Sequence, residues 1–357
     1  MTAEERVTAI AEFGFTERQA RFLVLVMRHA GVCVPRQYAT FAGVANGGEK
    51  SNALFDKLIE QGCAVACSCR HNRARVYHIH HKPLYRAIGE PESRHRRPVS
   101  ARRAVERLML LDAVLASPDF DWLTTEREKA AYLAGLMTPE APGHSPALTS
   151  GSPSRAAGAF PATFPIGLDA GGRALVLYLA TVPRTDDFRV FLQGTAAFLT
   201  VVPSWTLRLV FPRPLDRVYT AYQTVVREEL ETPLHRATIG ELQWYFEHRQ
   251  KAVGQSVHPV TQGFLDRAAK VFNTPRFTLL YRRWLRHGEA AFQAVSSPVF
   301  ADALASGTGR VECDVLSQTY RHLSPLGKVP RSPQPIPQQV SRSARPDRPT
   351  CCMVTTG

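Results

Sequence analysis

The sequence predicts an α+β protein that begins with a winged helix-turn-helix. Helical patterns fill residues 1–60, two strand-like runs follow at Ala64–Cys69 and Ala74–His80, and a polar turn at 70–73 joins them. Asparagine in a short polar turn between strand-like runs favours a β-hairpin. Helix, short helix, turn, helix and hairpin is the order of elements that a winged helix requires.

The helices before the hairpin are marked by residues that typically begin a helix. Thr16 and Gln19 form a capping box for a helix over 17–30. Pro35 opens a second, short helix over 36–42, because proline is tolerated in the first helical turn. These signals place two packing helices ahead of the third.

The third helix, Glu49–Glu60, is the one that would enter a DNA groove. Its apolar residues are expected to form one stripe that packs inward. That stripe contains Ala53, Leu54, Leu58 and Ile59. The polar side keeps Lys50, Asn52, Asp56 and Lys57.

The charge balance indicates a polyanionic partner. The chain has 357 residues, a formal net charge of +13 and a pI of about 9.7, and nucleic acid is the polyanion that fits best. Basic residues are densest just after the hairpin, at Ser93–Pro98, where they would form an arm that grips phosphates. The alternative is a solvated basic surface and an ordinary linker.

The expected DNA contacts therefore lie in three places. The third helix supplies Lys50, Ser51, Asn52 and Lys57; the wing supplies Arg70, His71, Arg73 and Arg75; the arm supplies Arg94, Arg96 and Arg97.

Three segments carry a family resemblance: Phe15–Leu23, Leu54–Gly62 and Arg73–His78. Together they resemble replication-relaxation proteins, which are winged-helix proteins of bacterial plasmids and other mobile elements. The resemblance covers the first quarter of the chain best. It implies a regulator of replication, transfer or transcription on a mobile element.

Composition divides the chain into five parts. The predicted boundaries are 1–92 for the winged helix, 93–136 for connecting helices, 137–162 for a flexible linker rich in proline, glycine and serine, 163–325 for a second domain, and 326–357 for a disordered tail. The connecting helices are expected over 99–117 and, after a capping box at Thr125, to about Leu136.

The second domain is expected to have an endonuclease-like core. A hairpin ending in the strand Arg173–Ala180, a helix Asp186–Val201, a strand Trp205–Phe211 and a helix Pro214–Leu230 follow one another. This is the core order of restriction-endonuclease-like folds, and the family resemblance implies such a domain.

The remainder of the second domain is predicted to be mainly helical. A capping box at Thr238 would begin one helix, and others are expected over 260–272, 275–287 and 298–305. The aromatic run Trp244–Phe246 is expected to be core rather than a platform for stacking bases.

A nuclease centre is incomplete in the sequence. Such folds need an acid at the end of one strand and an acid and a lysine on the next to hold a divalent metal ion. Asp169 could be the first acid, but the strand 175–181 has no carboxylate and no lysine, and Asp186 and Asp187 lie beyond it. We therefore expect a scaffold without catalysis, which leaves a metal-dependent nuclease as the third choice.

A zinc site is also disfavoured, although soft ligands cluster near the wing. The candidates are Cys63, Cys67, Cys69, His71, His78, His80 and His81. No Cys-x-x-Cys pair occurs among them, and buried free thiols are common. We expect no metal or other cofactor, and we expect the three later histidines to face solvent or phosphate.

The sequence thus predicts a cytoplasmic, non-catalytic protein that binds double-stranded DNA. The seven cysteines suggest no disulfide framework, and no apolar run is long enough to cross a bilayer. The second domain would form a homodimer or bind a replication or transfer protein. The alternative function is a protein–protein adaptor, and Glu49 and Asp56 on the third helix count mildly in its favour.

Overall fold

The structure is a computed structural model that describes residues 1–44, 48–68, 75–137, 165–252 and 259–320. It is mixed α+β and divides into two compact units. Unit 1 contains Met1–Asp119, Val210–Pro214 and the chain from Val315, and unit 2 contains Phe120–Leu209 and Leu215–Asp314. Most of the predicted linker and all of the predicted tail lie outside the described residues.

Unit 1 is built mainly from helices with a small sheet. Its elements are α1 (Ala3–Ala11), α2 (Glu17–His29), β1 (Val32–Cys33), α3 (Pro35–Ala42), α4 (Glu49–Glu60), β2 (Ala64–Ser68), β3 (Arg75–Ile79), α5 (Lys82–Ala87), a 3₁₀ turn (Arg94–Arg96) and α6 (Ala101–Leu115). The predicted helices and both hairpin strands are confirmed to within about two residues at each end, which is ordinary for helix and strand ends.

The sheet of unit 1 has three antiparallel strands in the order β1-β3-β2. Val32 pairs with His78 on one side of β3, and Val65 pairs with the same residue on the other. Strand β1 was not predicted, because two residues are too few to show an alternating pattern. Its pairing makes β3 the central strand.

Local capping explains where the helices begin and end. The hydroxyl of Thr16 accepts from the amide of Gln19, whose side chain accepts from the amide of Thr16, so the predicted capping box is confirmed. Pro35 is confirmed in the first turn of α3. Gly43 ends α3 with φ of 64°, a left-handed conformation that glycine adopts without a steric penalty.

The inward face of α4 differs from the predicted stripe. Leu54 and Leu58 are buried as expected, but Ala53 is exposed and Ile59 is 42% exposed. Phe55 takes their place, because its ring packs 6.4 Å from that of Tyr38 and 4.4 Å from that of Tyr77. The buried face of α4 is therefore turned by about one residue position from the predicted stripe, toward the larger side chain of Phe55.

Three histidines are buried inside unit 1. His78 on β3 is 3% exposed and its Nε2 lies 3.1 Å from the carbonyl oxygen of His95, so the prediction that His78 faces solvent is wrong. His29 and His95 are 5% and 6% exposed. Gly31 allows this packing, since a Cβ there would lie 2.3 Å from the same carbonyl oxygen.

These histidines predict a stability that decreases on acidification. Burial lowers the pKa of His95 to about 2, and burial also lowers the pKa of His78. These side chains protonate near pH 6.5 in the unfolded chain, so the stability is full above that pH and decreases below it. For His95 the decrease is about 1.4 kcal/mol per pH unit. For His95 alone we expect a loss of about 2 kcal/mol at pH 5.

Amide hydrogen exchange of α2 and β3, corrected for the intrinsic pH effect, measures this loss. In His95→Leu the decrease between pH 6.5 and 5 should be smaller than in the wild type. Between pH 7 and 8 both proteins should show flat profiles, which provides the control. An equal acid slope in both would contradict the assignment to His95.

Unit 2 combines a sheet with a group of helices. Its elements are β4 (Asp121–Leu123), α7 (Glu126–Met137), β5 (Ile166–Leu168), β6 (Ala174–Leu179), α8 (Asp186–Val201), β7 (Trp205–Pro212), a 3₁₀ segment (Arg213–Val218), α9 (Tyr219–Val226), a π-helix (Arg227–Glu231), α10 (Arg236–Lys251), α11 (Pro259–Phe272), α12 (Pro275–His287), α13 (Ala290–Ser296), α14 (Val299–Ser306) and β8 (Gly309–Leu316). The last residues of β7, Val210–Pro212, and of β8, Val315–Leu316, are assigned to unit 1.

The five strands follow the order β4-β5-β6-β7-β8. The predicted hairpin β5–β6 is confirmed as antiparallel, with Gly167 opposite Leu175. The strands at both edges were not predicted. Strand β8 lies where the sequence analysis expected mainly helix, and its mixed polar pattern is typical of a strand with one neighbour.

Two predictions for the helices of unit 2 are wrong. The single helix predicted over 214–230 is divided into a 3₁₀ segment, α9 and a π-helix. The capping box predicted at Thr238 is absent, because α10 already begins at Arg236 with His235 as its N-cap. The predicted boundaries of α8 and α12 are confirmed.

The helices α10 to α13 share a separate apolar cluster. Phe246 and Leu242 of α10 are fully buried there, together with Phe272 of α11 and Leu280 of α12. Tyr245 and Phe246 are thus core, as predicted, but Trp244 is 37% exposed. This group of helices is called the helical bundle below.

Candidate nucleic-acid interface

Helix α4 is fixed by its buried stripe, and its opposite side is exposed. Asn52 and Asp56 are exposed on that side, and Lys50 and Ser51 lie in the first turn. Backbone N–H groups in a first helical turn carry partial positive charge, which favours phosphate. This end of α4 therefore brings together three of the four predicted contacts of the helix.

Lys57, the fourth of these contacts, has a structural role. Its Nζ donates to the carbonyl oxygen of Gly14 and lies 5.2 Å from the centre of the Phe15 ring. These contacts attach the last turn of α4 to the loop before α2. Lys57 would have to break them to reach a phosphate.

The wing is described only at its base. Arg75 begins β3, is exposed, and pairs in register with Ser68 at the last described position of the hairpin. Arg70, His71 and Arg73 lie outside the described residues. The described register of the hairpin therefore ends at Ser68 and Arg75.

The predicted arm is packed against unit 1 at its centre. Arg94 and Arg97 are exposed, but Arg96 donates to the carbonyl oxygens of Pro91 at 2.7 Å and His80 at 3.4 Å. The 3₁₀ turn is held further by the buried His95. The segment thus presents two exposed arginines from a fixed turn rather than a loose basic chain.

An open cleft beside α4 was missed by the sequence analysis. It has a volume of about 730 Å³ and is lined by the first turn of α2, by Tyr38 and by Ala53. Arg18 is exposed here and donates to the carbonyl oxygen of Ala42. Arg21 is neutralised by Glu4 and Glu17, at 2.8 and 2.9 Å. In the sequence, the only signal for Arg18 is its position two residues after Thr16, the N-cap residue of α2.

The carboxylate of Asp169 is used in a turn. Its Oδ1 accepts from the backbone amides of Gly171 and Arg173, both at 2.9 Å, which closes the β5–β6 hairpin. Within the described residues, no three histidine, cysteine, aspartate or glutamate side chains are grouped so that they could hold a metal ion. Asp169 therefore has a role in the fold that needs no metal.

The thiols near the wing are in apolar surroundings. Cys63 and Cys67 are buried, and burial raises the pKa of the Cys63 thiol. The Sγ of Cys63 lies 3.9 Å from Nδ1 of the half-buried His81. The burial of both cysteine side chains is typical of cysteines in a protein core.

Comparison with family models, with curated proteins and with solved structures finds no match for this chain. In the part of the chain that the structure describes, no helix combines the length and the apolar character needed to cross a membrane.

Proposed function

We propose that this chain is a non-catalytic protein that binds double-stranded DNA through a winged helix in unit 1. Helix α4 lies in the major groove in this proposal, with Lys50, Ser51 and Asn52 nearest the base edges. The wing and the two exposed arginines Arg94 and Arg97 contact the phosphates.

The observation that carries the proposal is the arrangement of α2, β1, α3, α4, β2 and β3. The short strand β1 adds to a hairpin in the order β1-β3-β2, and α4 precedes that hairpin with Asn52 and Asp56 exposed. A third helix and a hairpin on one small sheet are the parts by which winged helices contact a duplex. The net charge of +13 supports the same partner.

We further propose that unit 2 is a restriction-endonuclease-like scaffold without a catalytic site, and that the protein regulates replication, transfer or transcription on a mobile element. The order β5, β6, α8, β7 supports the scaffold. The two backbone hydrogen bonds that hold the Asp169 carboxylate in a turn support the lack of catalysis. The resemblance to replication-relaxation proteins supports the biological setting.

The decisive test is the salt dependence of duplex binding, measured by fluorescence anisotropy with and without Mg²⁺. Each phosphate contact contributes about 0.9 to the slope of log affinity against log salt. Removing the wing arginines in Arg70→Ala/Arg73→Ala/Arg75→Ala should weaken binding and flatten the slope by about 3. The duplex should remain intact.

The matched control removes the same charge from arginines that already pair with carboxylates. Arg21→Ala/Arg102→Ala/Arg103→Ala has this property, because these side chains pair with Glu4, Glu17 and Glu106. It should bind like the wild type. No binding at low salt would favour the protein adaptor. Mg²⁺-dependent cutting that is lost in Asp169→Ala would show a nuclease.

A further inference from the structure

A second surface with the features of a nucleic-acid site lies in the helical bundle of unit 2. A groove of about 520 Å³ runs between α10 and α11 and is lined mainly by apolar side chains. Trp244 from α10 and Phe264 and Val271 from α11 line it and are 37%, 50% and 62% exposed. Exposed aromatic side chains in one groove mark an interaction site more often than scattered ones do.

The two aromatic rings are held in place by their neighbours. His248 stacks on Trp244 with ring centres 4.2 Å apart, and its Nδ1 is 2.8 Å from the carbonyl oxygen of Trp244. Arg267 lies 4.5 Å from the centre of the Phe264 ring. Because each ring already has a fixed neighbour, little side-chain freedom is lost when a flat ligand stacks against it.

The charge of the bundle selects the class of ligand. Nine side chains from Arg236 to Ser296, the span of α10 to α13, are lysine or arginine and four are aspartate or glutamate. Arg267 lines the groove, and Lys270 lies three residues further along α11. Both are exposed, and no ion pair is found for either among the described residues. Two copies of so basic a surface repel each other, whereas a polyanion is attracted.

The acidic side chain in the lining of the groove, Glu241, is compatible with nucleic-acid bases as ligands. Glu241 is exposed at the rim of the groove. A carboxylate repels phosphate but accepts N–H groups from base edges. In this arrangement the Glu241 carboxylate accepts from bases inside the groove, and the cationic side chains of Arg267 and Lys270 attract the phosphates.

We propose that the groove between α10 and α11 binds the unpaired bases of a single-stranded nucleic acid. Exposed aromatic rings beside a basic rim are the combination that single-strand binding uses, since every base has a face that stacks. Duplex DNA does not fit this site, because its bases are stacked on one another. This site is independent of α4 and the wing.

The test uses the full chain and a fluorescein-labelled oligothymidylate of about 16 nucleotides, which is long enough for one site. Trp244→Ala/Phe264→Ala should weaken single-strand binding by about 10-fold to 100-fold, as expected for the loss of base stacking. Duplex affinity should not change. Binding should also quench tryptophan emission, and Trp244→Phe should remove that quenching while keeping most of the affinity.

Two further variants make the result specific. Leu285→Ala on α12 removes a side chain that is 49% exposed outside the groove and should bind like the wild type. Arg267→Glu/Lys270→Glu should weaken single-strand binding without touching the apolar core. Unchanged single-strand affinity in both double variants would overturn the proposal. If Trp244→Ala/Phe264→Ala instead dissociates a dimer, the groove is a contact between copies.

Discussion

Replacing Glu229 by alanine should lower the free energy of unfolding of unit 2 by about 3 to 5 kcal/mol, because it removes the buried carboxylate that two buried guanidiniums share. Glu229 lies in the π-helix and is 8% exposed. It pairs with Arg189 of α8, which is 5% exposed, and lies 4.0 Å from Arg276 of α12, which is 11% exposed. The guanidiniums would remain buried in the variant.

Urea unfolding followed by tryptophan fluorescence measures this change in unit 2 alone, since all four tryptophans lie there. Glu228→Ala is the matched control. Glu228 also pairs with Arg189, but the side chain of Glu228 is 38% exposed. Water can therefore solvate this position when the carboxylate is removed. We expect a loss of about 1 kcal/mol or less for Glu228→Ala. Equal losses in the two variants would contradict the role assigned to burial.

Phe55→Ala should destabilise unit 1 by about 3 to 5 kcal/mol, because it opens a cavity between α4 and its neighbours. The ring is 1% exposed and packs against Tyr38 of α3 and Tyr77 of β3. It therefore ties α4 to both a helix and the sheet. Amide hydrogen exchange of α2 and β3 measures the loss, since unit 1 has no tryptophan.

Ile59→Ala on the same helix provides the comparison. The sequence pattern places Ile59 in the buried stripe, but the structure leaves it 42% exposed. We expect a change within about 0.5 kcal/mol for this variant, as for other exposed positions. A large loss for Ile59→Ala and a small one for Phe55→Ala would mean that α4 packs by the stripe that the sequence predicted.

The secondary structure of this chain follows largely from local signals. The Thr16–Gln19 capping box and Pro35 mark helix starts because they satisfy or remove backbone donors within the same few residues. The continuous apolar run of β6 and the alternating apolar residues of β7 mark strands for a similarly local reason. The edge strands β1, β4 and β8 give weaker signals, because short or half-exposed strands need few apolar residues.

The candidate DNA interface could be predicted in part. Asn52, Arg75, Arg94 and Arg97 are exposed, as a contact requires. Lys57 and Arg96 are instead held by backbone carbonyl groups, because long cationic side chains donate to any acceptor that the fold brings near. The sequence predicts Trp244 to be core together with Tyr245 and Phe246, because helical periodicity does not tell which of three neighbouring aromatic residues faces outward.

The sequence by itself determined the α+β class, the order of most helices and strands, and the basic character of the surface, because propensity, capping and charge act over a few residues. Only the tertiary structure decided which polar groups are paired inside. Arg36 of α3 donates to Asp112 of α6 at 2.7 and 2.8 Å, and the hydroxyl of Tyr320 donates to the same carboxylate across 208 positions of the chain. Burial raises the pKa of Tyr320, so this hydroxyl keeps its proton. Such pairing is set by distance in space, which no local pattern encodes.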